Sequence, residues 1–246
     1  MIPLRDINPT HRIPVATVVL IAINVIVFLY QLSLPERATE RFIFQFGLTP
    51  ADVVGDFNAF GYTLVTSMFL HGDVLHIGSN MLYLWIFGNN IEDRLGILRF
   101  LLFYFVTGFL ASGAQIAIDP GSTIPNIGAS GAIAGVLGAY IVLFPNARVQ
   151  TLILLWFFVR VVEVSAVWLL GWWIVLQVFA GVLQLGNFAA QGGVAYFAHI
   201  GGFAAGWLLI RVFAAGRPGR AGRDDMRIPT ADDIFRSRRR NDRWWD

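Results

Sequence analysis

The stretch "NIGASGAIAGVLGAY", Asn126 to Tyr140, sets one serine, Ser130, between glycines at the mouth of an apolar run. Two other apolar segments carry groups able to do chemistry. "FLHGDVLHIGSN" holds His71, His76 and Asn80, and "YFAHIGGFAAGW" holds His199. Polar and ionisable groups inside membrane spans are costly, so each is a functional candidate. Taken alone, Ser130 reads as a helix cap or packing residue, and His199 as a hydrogen-bonded interior histidine. Their conjunction changes the reading, because a serine and an imidazole on closely packed helices are the minimum for a nucleophile and its general base. The chain has no cysteine, which excludes a thiolate nucleophile, a disulfide framework and a thiolate metal site.

Three histidines also raise a metal site as a rival. His71 and His76 are five apart, about 140° round a helix; there is no H-E-x-x-H, and no carboxylate lies near His199 in sequence. The residues therefore point to no metal, and nothing suggests a cofactor.

The elements that must position these residues are membrane spans. The chain has 246 residues, 56% of them hydrophobic and 14% charged, with a mean hydropathy of +0.63, which points to the bilayer as solvent. All 18 basic residues are arginine and 16 acids nearly balance them, leaving +2, so the charge singles out no nucleic acid or other partner. A hydrocarbon core of ~30 Å takes about 20 apolar residues in helix. Runs that meet or approach that length lie at Ile13–Leu32, Met68–Phe87, Ile97–Ile118, Ala129–Phe144, Ser165–Leu185 and Val194–Ile210. The first has no small-x-small cleavage site after it and reads as a span rather than a signal peptide. The apolar connector Val149–Val159 is too short to cross and reads as an interfacial or partly buried lead-in, with Arg160 and Glu163 spaced to pair at i,i+3. Six spans give an all-α, polytopic bundle: residues 1–12 before it, 13–213 within it, and 214–246 an Arg-rich tail that reads as disordered.

Arginine placement orients the bundle, since basic loops stay cytoplasmic. Arg5, Arg12, Arg94, Arg99, Arg148 and Arg160 fall on the side of both termini, and only Arg37 and Arg41 on the other. Both termini are thus expected in the cytoplasm, and spans two, four and six begin at the outer face. Ser130, His199, His76 and Asn80 then sit at similar shallow depth and can converge in one cavity open to that face. Gly131, Gly135 and Gly138 give the fourth span a smooth side, as Gly202 and Gly206 do for the sixth. His199 shares a face with Gly202 and Gly206. The start of the fourth helix also offers unpaired N–H groups and a positive dipole end to an anion forming beside Ser130.

G-A-S-G at Gly128–Gly131, A-H-I-G-G at Ala198–Gly202 and H-x4-H-x3-N at His71–Asn80, taken in order across six spans, resemble the rhomboid family of intramembrane serine proteases, in its prokaryotic six-span form. "IEDRLG", with Glu92, Arg94 and Gly96, resembles the family's loop after the second span. The resemblance implies that Ser130 attacks the scissile carbonyl and that His199 takes its proton and returns it to the leaving amine, a dyad without a carboxylate. It implies that His76, Asn80 and the Ser130 N–H stabilise the oxyanion, that His71 supports them from the outer rim, and that Glu92 and Arg94 tie helix ends together. The implied partners are the lipid bilayer and transmembrane segments of membrane-protein substrates in the cell membrane, with entry past the fifth span and a "LGNFAAQGG" loop able to move. The sequence departs from the family pattern at Tyr62-Thr63, where Trp-Arg is common, and at Ala134, where many relatives carry the tyrosine on which the histidine stacks. The first loop and His199 must therefore be held by other groups. Rival readings are a non-catalytic rhomboid-like protein that binds transmembrane helices, or a small transporter. No inverted repeat of the transporter kind is visible.

Overall fold

A computed structural model of the chain describes residues 1–155, 158–185 and 194–216. The expected mobile loop Gly186–Gly193 and the Arg-rich tail from residue 217 onward lie outside those residues. The described residues make six helical passes. The first is α1 (Val15–Ser33), followed by α2 (Glu36–Phe46) and the short helices α3 (Pro50–Gly55), α4 (Phe57–Phe60) and α5 (Thr63–Thr66). The second pass is α6 (Val74–Tyr83) and α7 (Asn89–Leu95), joined by a π turn at Leu84–Gly88. Then come α8 (Ile97–Ile118), α9 (Ser130–Leu143), α10 (Ala166–Leu185) and α11 (Tyr196–Phe213). α1, α8, α10 and α11 are each long and apolar enough to cross a membrane, and α9 is a shorter apolar helix. At 1.5 Å per residue its 14 residues span about 21 Å.

The second pass starts later than the apolar run does. Met68 lies in a 3-10 turn, Ser67–Phe69, and α6 begins only where the Asp73 carboxylate accepts the His76 backbone N–H at 2.8 Å. An aspartate at this position satisfies an orphan donor and fixes where the helix starts.

The connector expected to be an interfacial lead-in is instead a β-hairpin. β1 (Ile2–Asp6), β2 (Arg148–Leu155) and β3 (Phe158–Ser165) form an antiparallel sheet in the order β1-β2-β3, with Gln150 opposite Glu163 and Ile2 opposite Leu152. "RVVEVS" is rich in β-branched residues, which fit a pleated surface better than a helix. Glu163 consequently meets Arg148 across the hairpin at 3.8 Å. The expected i,i+3 pairing with Arg160 needed a helix; in a strand those two side chains point to opposite faces.

Nine consecutive residues of α9, Ala132 to Tyr140, are buried, as befits a helix that is apolar all round. Its approach to α11 is backbone on backbone. A Cβ on Gly202 would run into the Gly131 carbonyl, and one on Gly206 into the Gly135 carbonyl. Only glycine lets the two helices come this close.

Polar ties gather at the end of the bundle away from Ser130. Glu92, 3% exposed, accepts the Ala16 and Thr17 N–H groups and the Thr17 hydroxyl, all at 2.8 Å. It thereby caps α1, whose own N-cap position is Pro14 and supplies no side-chain bond. Arg99 on α8 donates to the Phe213 and Ala215 carbonyls at the end of α11, at 3.3 and 3.1 Å. Asp6 at the end of β1 accepts from Tyr140 Oη at 2.8 Å and Asn90 Nδ2 at 2.6 Å. Burial raises its carboxyl from 3.8 to about 6, against the opposing effect of those hydrogen bonds.

Candidate active site

Ser130 is the first residue of α9, so its backbone N–H is among the orphan donors of a helix start. The chain arrives there through Gly128, whose φ of +120° lies in the region that favours glycine. Space makes the same demand: a Cβ on Gly128 would stand 2.7 Å from His76 Nε2 and 3.6 Å from Asn80 Nδ2. The Gly128 N–H donates to the Ser67 carbonyl at 2.9 Å. His76 and Asn80, four apart on α6, are thereby brought against the backbone leading into Ser130.

Two donors converge there. The Gly72 N–H donates to His76 Nδ1 at 3.4 Å, which leaves Nε2 to carry the proton of the neutral ring and face Gly128. Asn80 is 6% exposed, and its Nδ2 is buried with no hydrogen-bond partner. A buried amide donor left unpaired is costly unless something comes to take it.

His199 stands in the first turn of α11, 8% exposed. Its Nε2 lies 2.8 Å from Ser130 Oγ. The same glycine contacts that seat α11 on α9 set this distance, and Gly131 and Gly202 meet one turn from the pair. The Ala198 N–H donates to Gln115 Oε1 on α8 at 3.2 Å, fixing the helix start. Beside Ser130 is a cavity of about 40 Å³ lined by Gly128, Ser112, Gln115, Asn126 and Ala198 among others. That is room for about one water.

His71 is not at an outer rim. It is 1% exposed, packs edge-on against His76 with ring centroids 5.0 Å apart, and neither ring nitrogen has a hydrogen-bond partner. Its backbone is clamped by Gln31 of α1, which accepts the His71 N–H at 3.1 Å and donates to its carbonyl at 3.2 Å. The α1 amide thus fixes the segment from which α6 starts.

The sequence reading missed the residues that hold the imidazole. Gln177 Oε1 of α10 is 2.8 Å from His199 Nδ1. Trp173, one turn earlier on α10, lies over the ring with centroids 5.6 Å apart and planes at 36°. The position four after the serine is Ala134, fully buried, so the aromatic neighbour comes from α10 rather than α9. The signal was available: Gln177 is an uncharged polar residue in the middle of an apolar run, the feature that marked Ser130 and the histidines.

The first loop is held in an equally local way. Tyr62 Oη donates to the Gln45 carbonyl at 2.7 Å and Thr66 Oγ1 to the Phe46 carbonyl at 2.6 Å. Leu48 and Asn126 exchange backbone hydrogen bonds at 3.0 and 2.8 Å, joining that loop to the approach to Ser130.

Fold and site together define a polytopic membrane protein that apposes a serine and a histidine inside its helical bundle. Residues 59–216, more than half the chain, match the family model described as the Rhomboid domain. The chain belongs to the rhomboid family. It is 36% identical over 139 residues to Rhomboid protein 1, mitochondrial, of Saccharomyces cerevisiae, covering 53% of this chain and 37% of that one. It is 35% identical over 150 residues to RHOMBOID-like protein 4 of Arabidopsis thaliana, covering 61% and 33%. To the Rhomboid protease GluP of Bacillus subtilis it is 26% identical over 211 residues, covering 85% and 37%. The chain spans roughly a third of the length of these relatives.

Proposed function

We propose that the protein is an intramembrane serine endopeptidase that hydrolyses peptide bonds in or beside transmembrane segments of other membrane proteins. The observation that carries the reading is the 2.8 Å contact between Ser130 Oγ and His199 Nε2 at the start of a buried helix. Kinship with a named rhomboid protease supports it.

In this reading Ser130 Oγ attacks the scissile carbonyl carbon as its proton passes to His199 Nε2. The carbonyl oxygen becomes an oxyanion and meets His76 Nε2–H, Asn80 Nδ2–H and the Ser130 N–H. The C–N bond breaks, the amine takes the proton from His199, and a water from the adjoining cavity attacks the acyl-enzyme with His199 again as base. A substrate helix has its carbonyls already hydrogen-bonded, so it must unwind locally before one can reach Ser130. Small or helix-breaking residues near the cleaved bond are therefore the expected preference. Arginine placement supports a site opening to the outer face of the cell membrane with both termini in the cytoplasm, and the succession of apolar runs supports residues 13–213 as the protease domain.

The test is cleavage of a reporter with one transmembrane segment in liposomes, with fluorophosphonate labelling alongside, for wild type, Ser130→Ala and His199→Ala. Cleavage and labelling in wild type that vanish in Ser130→Ala are expected. Wild type inert toward several reporters and unlabelled by the probe would overturn the reading in favour of a helix-binding protein.

A further inference from the structure

The imidazole of His199 has two faces to control: its plane and its direction. Trp173 constrains the plane, but a stacked ring can still turn over about its Cβ–Cγ bond, exchanging the positions of nitrogen and carbon. Ser130 at Nε2 separates the two arrangements only while its hydroxyl stays in place, so a partner at Nδ1 is needed to hold the ring through the reaction. Gln177 Oε1, at 2.8 Å, is that partner.

Deepening the endopeptidase reading on which it rests, we infer that Gln177 is the positioning residue of the site. Its side-chain carbonyl accepts the His199 Nδ1 proton, which leaves Nε2 bare and aimed at Ser130, and makes a Ser130–His199–Gln177 relay whose third member rides on α10.

Three observations support this. From Ala166 to Leu185 the chain is apolar except for Gln177 and Gln184, and an amide within a span is retained at a cost unless it is used. Trp168, Trp172, Val175 and Phe179 are exposed on the outer side of α10. Trp173, Gln177 and Gly181, at spacings of four, face α11, with a Cβ on Gly181 3.3 Å from that of Tyr196. The one polar group in mid-helix is therefore turned to the one titratable group it can orient. An amide also suits the medium: a carboxylate there carries a desolvation penalty of several kcal/mol, whereas an amide fixes ring direction and tautomer without charge. The consequence is that α10 carries both contacts holding the general base, so displacement of this helix disarms the site without touching Ser130.

The experiment combines a spectroscopic and a kinetic readout on the full chain in detergent. With ¹⁵N-histidine labelling, the His199 ring signals, assigned by their loss in His199→Ala, should show the proton on Nδ1 in wild type. Gln177→Met, similar in size but without a strong acceptor, should lose that signature. It should lower kcat and fluorophosphonate labelling by about 10- to 100-fold, part of the ~10²–10⁴ that positioned acid–base catalysis supplies, with KM within about twofold. Gln177→Glu, which keeps an acceptor, should recover most of the labelling rate. A wild-type ring protonated on Nε2, or a Nδ1 signal unchanged in Gln177→Met, overturns the inference even if that variant folds poorly. A folded Gln177→Met with kcat within threefold of wild type overturns it too. Failure of the endopeptidase reading is seen separately, as absent cleavage and labelling in wild type, while the ring signals still decide the role of Gln177.

Discussion

Replacing Gly202 by alanine puts a single methyl where α9 and α11 touch. The Cβ would stand nearer the Gly131 carbonyl than ordinary van der Waals contact by more than an ångström, and that oxygen belongs to the backbone one residue beyond Ser130. Neither a rotamer change nor a flexible side chain can relieve it, so the helices must separate. Overpacking of this kind costs about 1–3 kcal/mol. The functional loss should be larger than that stability change suggests. His199 is three residues from Gly202 on the same helix, and its 2.8 Å contact to Ser130 spans the gap that must open. A displacement of about 1 Å in a reacting pair costs on the order of 10²-fold in rate. The assay is initial-rate cleavage of a transmembrane reporter together with thermal melting in the same detergent. Gly113→Ala on α8 is the control, because nothing lies within 4 Å of its added Cβ. Gly202→Ala with cleavage within threefold of wild type and an unshifted melt would refute the claim that backbone contact sets the Ser130–His199 distance.

Asn80→Ala should lower kcat by about 10²–10³-fold with little change in KM, because the proposed mechanism gives its unpaired donor to the oxyanion; steady-state kinetics check this. Glu92→Ala strands two N–H groups of α1 and should cost about 2–4 kcal/mol in denaturant titration, with the specific activity of the folded fraction kept. For Asp6, the folded value of about 6 lies above the ordinary 3.8, so the fold favours the protonated carboxyl. That contribution is complete below about pH 4 and is lost as pH rises through about 6, to a limit of about 3 kcal/mol reduced by solvent screening. Melting temperatures should fall across that window, and Asp6→Asn should flatten the fall; an equal slope in both proteins would remove Asp6 as its cause.

The passes of the bundle were legible because long apolar runs have few alternatives in a chain of this composition. Their ends were less so. The start of the second pass depends on one cap, Asp73, which hydropathy ignores. The β2–β3 hairpin was hidden because Leu152–Leu155 runs on without alternation, so its apolar length was weighed and its β-branched continuation was not. At the site, Ser130, His199, His76 and Asn80 stood out as polar residues in apolar runs, and the glycines as close-packing positions. Gln177 carried the same signal, but it lies in the middle of the fifth span and not near the start of an even-numbered one, where the other four gather. His71 lies deeper than expected, and its backbone is held by Gln31, forty residues away, a contact that no local pattern carries.

The two ends of the bundle are built differently, and the difference suits the hydrolysis proposed above. Away from Ser130, polar side chains spend their hydrogen bonds on tying elements together: buried Glu92 on the start of α1, exposed Arg99 on the end of α11, half-buried Asp6 on Tyr140 of α9. Such ties fix where helices sit. Around Ser130 the balance reverses. Asn80 keeps a free buried amide, His71 has no partner for either ring nitrogen, and a cavity adjoins the serine. Unspent hydrogen bonds are a cost to stability that a membrane interior makes heavier, and a fold can carry them only where other contacts over-determine the geometry. The glycine contacts between α9 and α11 and the capped far ends of the helices do this. The site can remain polar and unsatisfied because rigidity is supplied from backbone contacts beside it and from the opposite end of the same helices.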